Sequence, residues 1–101
     1  DVSLDGIQEM TGETSIPVGG YVIEQDCYVR FTASFTSANG YCRIYINDDK
    51  NNRVWYAQMN SSSVPSNAQS TGVYPCRKRW KIQLGSYGNM VTDNPKFVLI
   101  Y

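Results

Sequence analysis

The sequence predicts an all-β domain, an antiparallel β-sandwich or jelly roll of about six to eight short strands. Three observations predict it. Apolar and polar residues alternate in short runs rich in Tyr, Thr, Val and Ile. Nowhere do apolar residues recur at helical spacing over three turns. Clusters of Gly, Asn, Asp, Ser and Pro break the runs at intervals of about 8 to 12 residues.

The first legible strand follows Gly19-Gly20 and begins at Tyr21. Residues 1–20 form an entry segment, because Gly6, Gly12, Pro17, Gly19 and Gly20 interrupt any run; one short strand is expected within Val2–Met10. From Cys27, the series Cys27, Val29, Phe31, Ala33 and Phe35 faces one way and Tyr28, Arg30, Thr32 and Ser34 the other, as in a strand with one wet face. Ser37-Ala38-Asn39-Gly40 reads as a tight turn with positive φ, so this strand is expected to pair antiparallel with the next, in which Cys42, Ile44 and Ile46 point inward. Asn47 to Asn52 is too polar to bury and forms a second hairpin, leading to a strand from Arg53 to Met59. Asn60 to Gly72 reads as a long crossover between sheets. Trp80, Ile82 and Leu84 then alternate with Arg79, Lys81 and Gln83, so the basic run Arg77, Lys78, Arg79 and Lys81 is expected to be largely a strand's outer face. Gly85 to Pro95 is a loop. The closing run Lys96–Tyr101 is apolar on both sides, which places it under a second layer or against a neighbouring subunit; Phe97, Leu99 and Tyr101 are the candidate interface residues.

One domain accounts for all 101 residues. A chain of this length buries only about 60–70% of its unfolded surface, so self-association is expected to supplement its stability. Nine basic and nine acidic side chains cancel, leaving no long-range field to draw in nucleic acid, and no run approaches the roughly 20 apolar residues that would insert into a membrane. The start at Asp1, without a methionine or the pattern of a signal peptide, suggests the C-terminal part of a longer polypeptide.

The absence of histidine excludes triads, dyads and zinc hydrolases that depend on imidazole. Cys27, Cys42 and Cys76 contain no Cys-x-x-Cys pair; one pair could be bridged with one thiol left over, but each stands where an apolar strand residue would serve, so buried free thiols are the expectation. Cys76 beside Arg77 is the candidate reactive thiol, and its strand setting makes an inert thiol the expectation. Glu24, Asp26, Asp48, Asp49 and Asp93 fall mostly in turns, where carboxylates are structurally favoured, rather than forming a hydrolytic pair. Asn47 to Asn52 lacks the spacing of a calcium loop. No metal, cofactor or catalytic residue is expected, and the chain reads as non-enzymatic. Aromatics and polar loops remain. Tyr28, Tyr41 and Tyr45 lie on outward faces, and such rings beside Asn and Asp suit the apolar face of a sugar or a protein surface.

The succession Gly20-Tyr21-Val22-Ile23, Asp26-Cys27-Tyr28-Val29, Asn39-Gly40-Tyr41-Cys42-Arg43-Ile44-Tyr45-Ile46-Asn47, Cys76-Arg77-Lys78-Arg79-Trp80-Lys81-Ile82 and Lys96-Phe97-Val98-Leu99-Ile100-Tyr101 resembles the C-terminal knob domains of bacteriophage tail fibres and tail needles. Cys27 stands where that pattern has Gly, Asp48 where it often has Gly, and Arg79-Trp80 replaces its Gly-Asp step. The resemblance implies a tumour-necrosis-factor-like jelly roll that trimerises around a threefold axis, caps a fibre and attaches to a host-surface polysaccharide or protein. It implies a virion tail protein, assembled in the bacterial cytoplasm and extracellular when functioning. The alternative is a monomeric carbohydrate-binding module of a secreted protein; a more remote one is a nucleic-acid-binding barrel using Arg77 to Lys81. Connections in an antiparallel succession alternate between the two ends of the sandwich, so Asn47–Asn52 and Gly85–Asn94 are expected together. If the strand from Tyr21 rises away from an upstream shaft, that end is distal, and Asn47, Asp48, Asp49, Asn51, Tyr87 and Asn89 are the candidate receptor-binding residues.

Overall fold

Along residues 27–35 every second side chain leaves the solvent: Cys27, Val29, Phe31, Ala33 and Phe35 are buried, while the residues between them stay partly exposed. The same alternation buries Cys42, Ile44 and Ile46, then Ala57 and Met59. Each run therefore has one oily face, and two sheets close over each other to cover those faces. The computed structural model describes residues 9–61 and 69–101.

Among the described residues, eight strands form the sandwich: β1 (Thr14–Ser15), β2 (Tyr21–Val22), β3 (Cys27–Ala33), β4 (Tyr41–Asn47), β5 (Arg53–Asn60), β6 (Gln69–Cys76), β7 (Lys81–Gly88) and β8 (Lys96–Ile100). One sheet has the order β1-β8-β3-β6 and the other β2-β7-β4-β5. All pairings are antiparallel. β4 pairs with β5, β3 with β6, β2 with β7 and β1 with β8, so the chain is one long hairpin rolled until successive pairs fall in alternate sheets. That is a jelly roll.

Several local expectations are corrected. β3 and β4 do not pair; they lie in different sheets, and residues 34–40 carry the chain across. Neither Asn39 nor Gly40 adopts a positive φ. Gly40 is needed for close approach instead: a Cβ there would stand 2.4 Å from the ring of Phe35, which is fully buried. The crossing is held by Thr36 N donating to Asn89 O and Val91 N donating to Ser34 O. The supposed crossover Asn60–Gly72 ends in strand, because β6 begins at Gln69. Among the described residues β6 is an edge strand paired with β3 alone, so its polar residues meet water and Pro75 breaks no second ladder there. Gly85 to Gly88 belong to β7, which shortens the following loop. Arg77, Lys78 and Arg79 form the turn before β7 and are not its outer face; Arg79, at φ 76°, donates its N–H to Ile23 O.

Phe97 and Leu99 lie inside the chain's own core, 3% and 7% exposed. They present nothing to a neighbouring subunit, which corrects their reading as interface residues. Val98, on the opposite face of β8, is also buried within the single chain, in register with Arg30. Tyr101 packs against the core and stays partly exposed. Of the strand expected in Val2–Met10, all but the last two residues lie outside the described ones. Glu9 exchanges two backbone hydrogen bonds with Tyr101, and Met10 bridges to Ile100.

Recognising β6 changes the arrangement of ends. Residues 34–40 and 89–95 occupy one end of the sandwich, and residues 23–26, 48–52 and 77–80 the other. The expected neighbourhood of Asn47–Asn52 with Gly85–Asn94 is thus overturned. β2 also runs toward the end where Glu9 meets Tyr101, so the Asn47–Asn52 turn is at the end where the described chain enters.

Candidate binding cleft

At the end formed by residues 23–26, 48–52 and 77–80, the β5–β6 side of the sandwich opens into a cleft of about 420 Å³. Asp26, Tyr28, Trp55, Arg77, Trp80 and Tyr101 line it, with Cys27 and Cys76 among its remaining lining residues. β8 and β3 stand between β6 and the entering segment.

Each wall is fixed by backbone chemistry. Trp55 begins the inward series of β5 and donates its indole Nε1–H to Pro75 O at 2.9 Å, which ties the edge of one sheet to the edge of the other. Its ring also packs against Tyr74, with centroids 5.5 Å apart. Trp80 closes the β6–β7 turn, donating its N–H to Arg77 O and accepting from Ile23 N. Asp26 Oδ1 accepts from Lys78 N at 2.9 Å, so the carboxylate is held at the mouth of that turn. Tyr101 is anchored through both its backbone bonds to Glu9.

The cleft is within the size range of small-ligand sites, and its lining includes four aromatic rings, a carboxylate and a guanidinium. Such a lining can stack on the apolar face of a pyranose and pair with its hydroxyls. Among the described residues of the lining, Asp26 supplies the one side-chain carboxylate.

The structure divides the residues singled out from sequence. Asn47, Asp48, Asp49 and Asn51 gather in the β4–β5 turn, at the same end of the sandwich as the cleft, but outside its lining. Much of their polarity builds the turn itself. Asp48 Oδ1 accepts from Asn52 N at 2.8 Å and Lys50 N at 2.9 Å, and Asn47 Nδ2 donates to Asn51 Oδ1 at 3.1 Å. The amide of Asn52, with that of Lys50, holds the Asp48 carboxyl below its ordinary pKa by stabilising the charged form. Tyr87 and Asn89 sit toward the opposite end, Tyr87 in register with Cys42 and Asn89 accepting from Thr36 N.

Of the outward tyrosines, only Tyr28 lines the cleft. Tyr41 and Tyr45 lie on the outer face of the second sheet, over Gly88 and Gly85, where a Cβ would strike their rings. There Arg53 stacks 4.1 Å from the Tyr45 centroid and Arg43 stands 5.4 Å from that of Tyr41, so the chain's own guanidiniums already engage these rings. Sequence reasoning did not select Trp55 or Trp80, and it weighed Asp26 and Arg77 only for other roles, as a turn carboxylate and as part of a basic run. Cys27, Cys42 and Cys76 are free and buried, and burial pushes their thiols up to about 11, 11 and 12.

Compared with protein-family models, with curated proteins and with solved structures, the chain matches none.

Proposed function

We propose that this chain is a non-enzymatic adhesion domain, the terminal knob of a bacteriophage tail fibre, that binds a host-surface polysaccharide in the aromatic cleft. The observation that carries the reading is the convergence of both tryptophans of the chain with Tyr28, Tyr101, Asp26 and Arg77 in one open cleft. The jelly-roll topology supports it, since viral and lectin domains use that architecture. Three free buried thiols suit assembly in a reducing cytoplasm. In this reading the knob trimerises through surfaces other than Phe97 and Leu99.

The test is binding of the purified domain to polysaccharide extracted from host cells. Trp80→Ala and Asp26→Asn are each expected to weaken binding about 10- to 100-fold, as loss of a central aromatic or charged contact does. Undiminished binding by both variants would overturn the assignment of the cleft.

A second reading, a monomeric carbohydrate-binding module of a secreted protein, is favoured by the burial of Phe97 and Leu99 in their own core: the last strand needs no partner to cover it. Light scattering separates the two. A trimer supports the knob and a monomer the module.

A further inference from the structure

Cys27 and Cys76 stand directly opposite each other as register partners in the β3–β6 ladder. Opposed residues in antiparallel strands have Cα atoms about 4.5–5.5 Å apart, inside the span of about 4.4–6.8 Å that a disulfide bridges. Both side chains point inward, 6% and 4% exposed, on the same face of the same sheet. β6 is an edge strand, so the small adjustment a cross-link demands meets no second ladder. Both cysteines line the aromatic cleft, which gives a small reagent a route to them. Cys42 is placed differently: it lies in the other sheet, in register with Met59 and Tyr87, and outside the cleft.

We infer that Cys27 and Cys76 form a dithiol site at the cleft, which a low-molecular-weight disulfide such as oxidised glutathione converts into an intramolecular Cys27–Cys76 bond. The reaction is two thiol–disulfide exchanges. One protein thiolate attacks a sulfur of the small disulfide, forming a mixed disulfide and expelling one small thiolate, which takes up the proton given by the protein thiol. The second protein thiol, deprotonated in turn, attacks the protein-side sulfur and expels the other small thiolate. Two electrons pass to the small disulfide, which leaves as two thiols. Burial pushes the two thiols up to about 11 and about 12, and whichever attacks first gives the same product. Both values lie far above neutrality, so the exchange quickens about tenfold per pH unit from neutral to mildly alkaline solution. The inference stands on strand register and does not depend on what the cleft binds.

The experiment incubates the native protein with excess oxidised glutathione at mildly alkaline pH, counts remaining thiols and maps the joined peptides. The expected result is loss of two of the three thiols, a reducible link between the peptides holding Cys27 and Cys76, and an unmodified Cys42. The variant Cys42→Ala should form the same link, and Cys76→Ala should stop at a glutathione adduct on Cys27. Retention of all three thiols, a bond involving Cys42, a persistent glutathione adduct in the wild type, or linkage appearing only in denaturant would each overturn the inference.

Discussion

The indole of Trp55, on β5, hydrogen-bonds the carbonyl of Pro75, on β6, and so joins the free edges of the two sheets at the wall of the cleft. Replacing Trp55 by Phe removes the donor and leaves the carbonyl to find water. The expected loss is about 1–2 kcal/mol, the worth of a hydrogen bond plus part of an aromatic pair, seen as a fall of about 4–8 °C in Tm per kcal/mol. An unchanged Tm would mean that the edges are held by other contacts.

Gly40 and Gly72 give opposite expectations for the same substitution. A Cβ at Gly40 meets three atoms of Phe35 at 2.4–2.8 Å, whereas one at Gly72 meets nothing within 4 Å. Gly40→Ala should destabilise by about 1–3 kcal/mol in urea titration, as overpacking does, and Gly72→Ala should remain within about 0.5 kcal/mol of the parent.

Asp48 gives an acid-side signature. Its folded pKa is depressed by the amides of Asn52 and Lys50, so the charged form is favoured by folding. That contribution is present above the ordinary value of 3.8 and is lost as pH falls through the lower folded value. Asp48→Asn, which keeps one acceptor oxygen, should flatten the decline of Tm below that pH. Parallel curves for the two proteins would show that the carboxylate adds nothing.

The thiols act at the alkaline side, with the opposite sign. Their folded pKa values are raised from 9.0 to about 11 or 12, so the unfolded chain releases these protons first. Their contribution is whole below pH 9.0 and disappears as pH rises through the folded values. Between those limits the urea midpoint of the wild type should fall more steeply than that of Cys42→Ala, and equal slopes would contradict the burial of that thiol as the cause.

The separation of the two ends predicts a difference in binding. Tyr87→Ala and Asn89→Ala lie away from the cleft; alone they should leave ligand affinity unchanged, and combined with Trp80→Ala they should add nothing to its loss. A loss on substituting Tyr87 would move the site to the opposite end.

Much of the architecture was legible because alternation reports burial directly. The series from Cys27 to Phe35, from Cys42 to Ile46, and at Phe97 and Leu99 could be assigned to an oily face without any partner in view. The β4–β5 turn was equally plain, since Asp48 satisfies its amides within four residues. β6 was not legible. An edge strand with one neighbour and an exposed outer face can carry Gln69, Ser70, Thr71, Gly72 and Pro75, a composition that reads as loop. Missing that one strand reverses the end to which every later connection is assigned, which is why Tyr87 and Asn89 were grouped with Asp48.

The cleft was hidden for a related reason. Trp55, Trp80, Asp26 and Arg77 are distant in sequence, and Trp80 and Trp55 each look like ordinary inward residues of a strand. The sequence by itself determined the all-β class, the inward face of each central strand and the thiols' burial, because these depend on the local period of the chain. Beyond the β4–β5 hairpin, tertiary structure alone decided which strands pair, which end each loop occupies and which aromatics meet at a cleft. Those follow from how one long hairpin rolls into two sheets, and no local pattern encodes the direction of that roll.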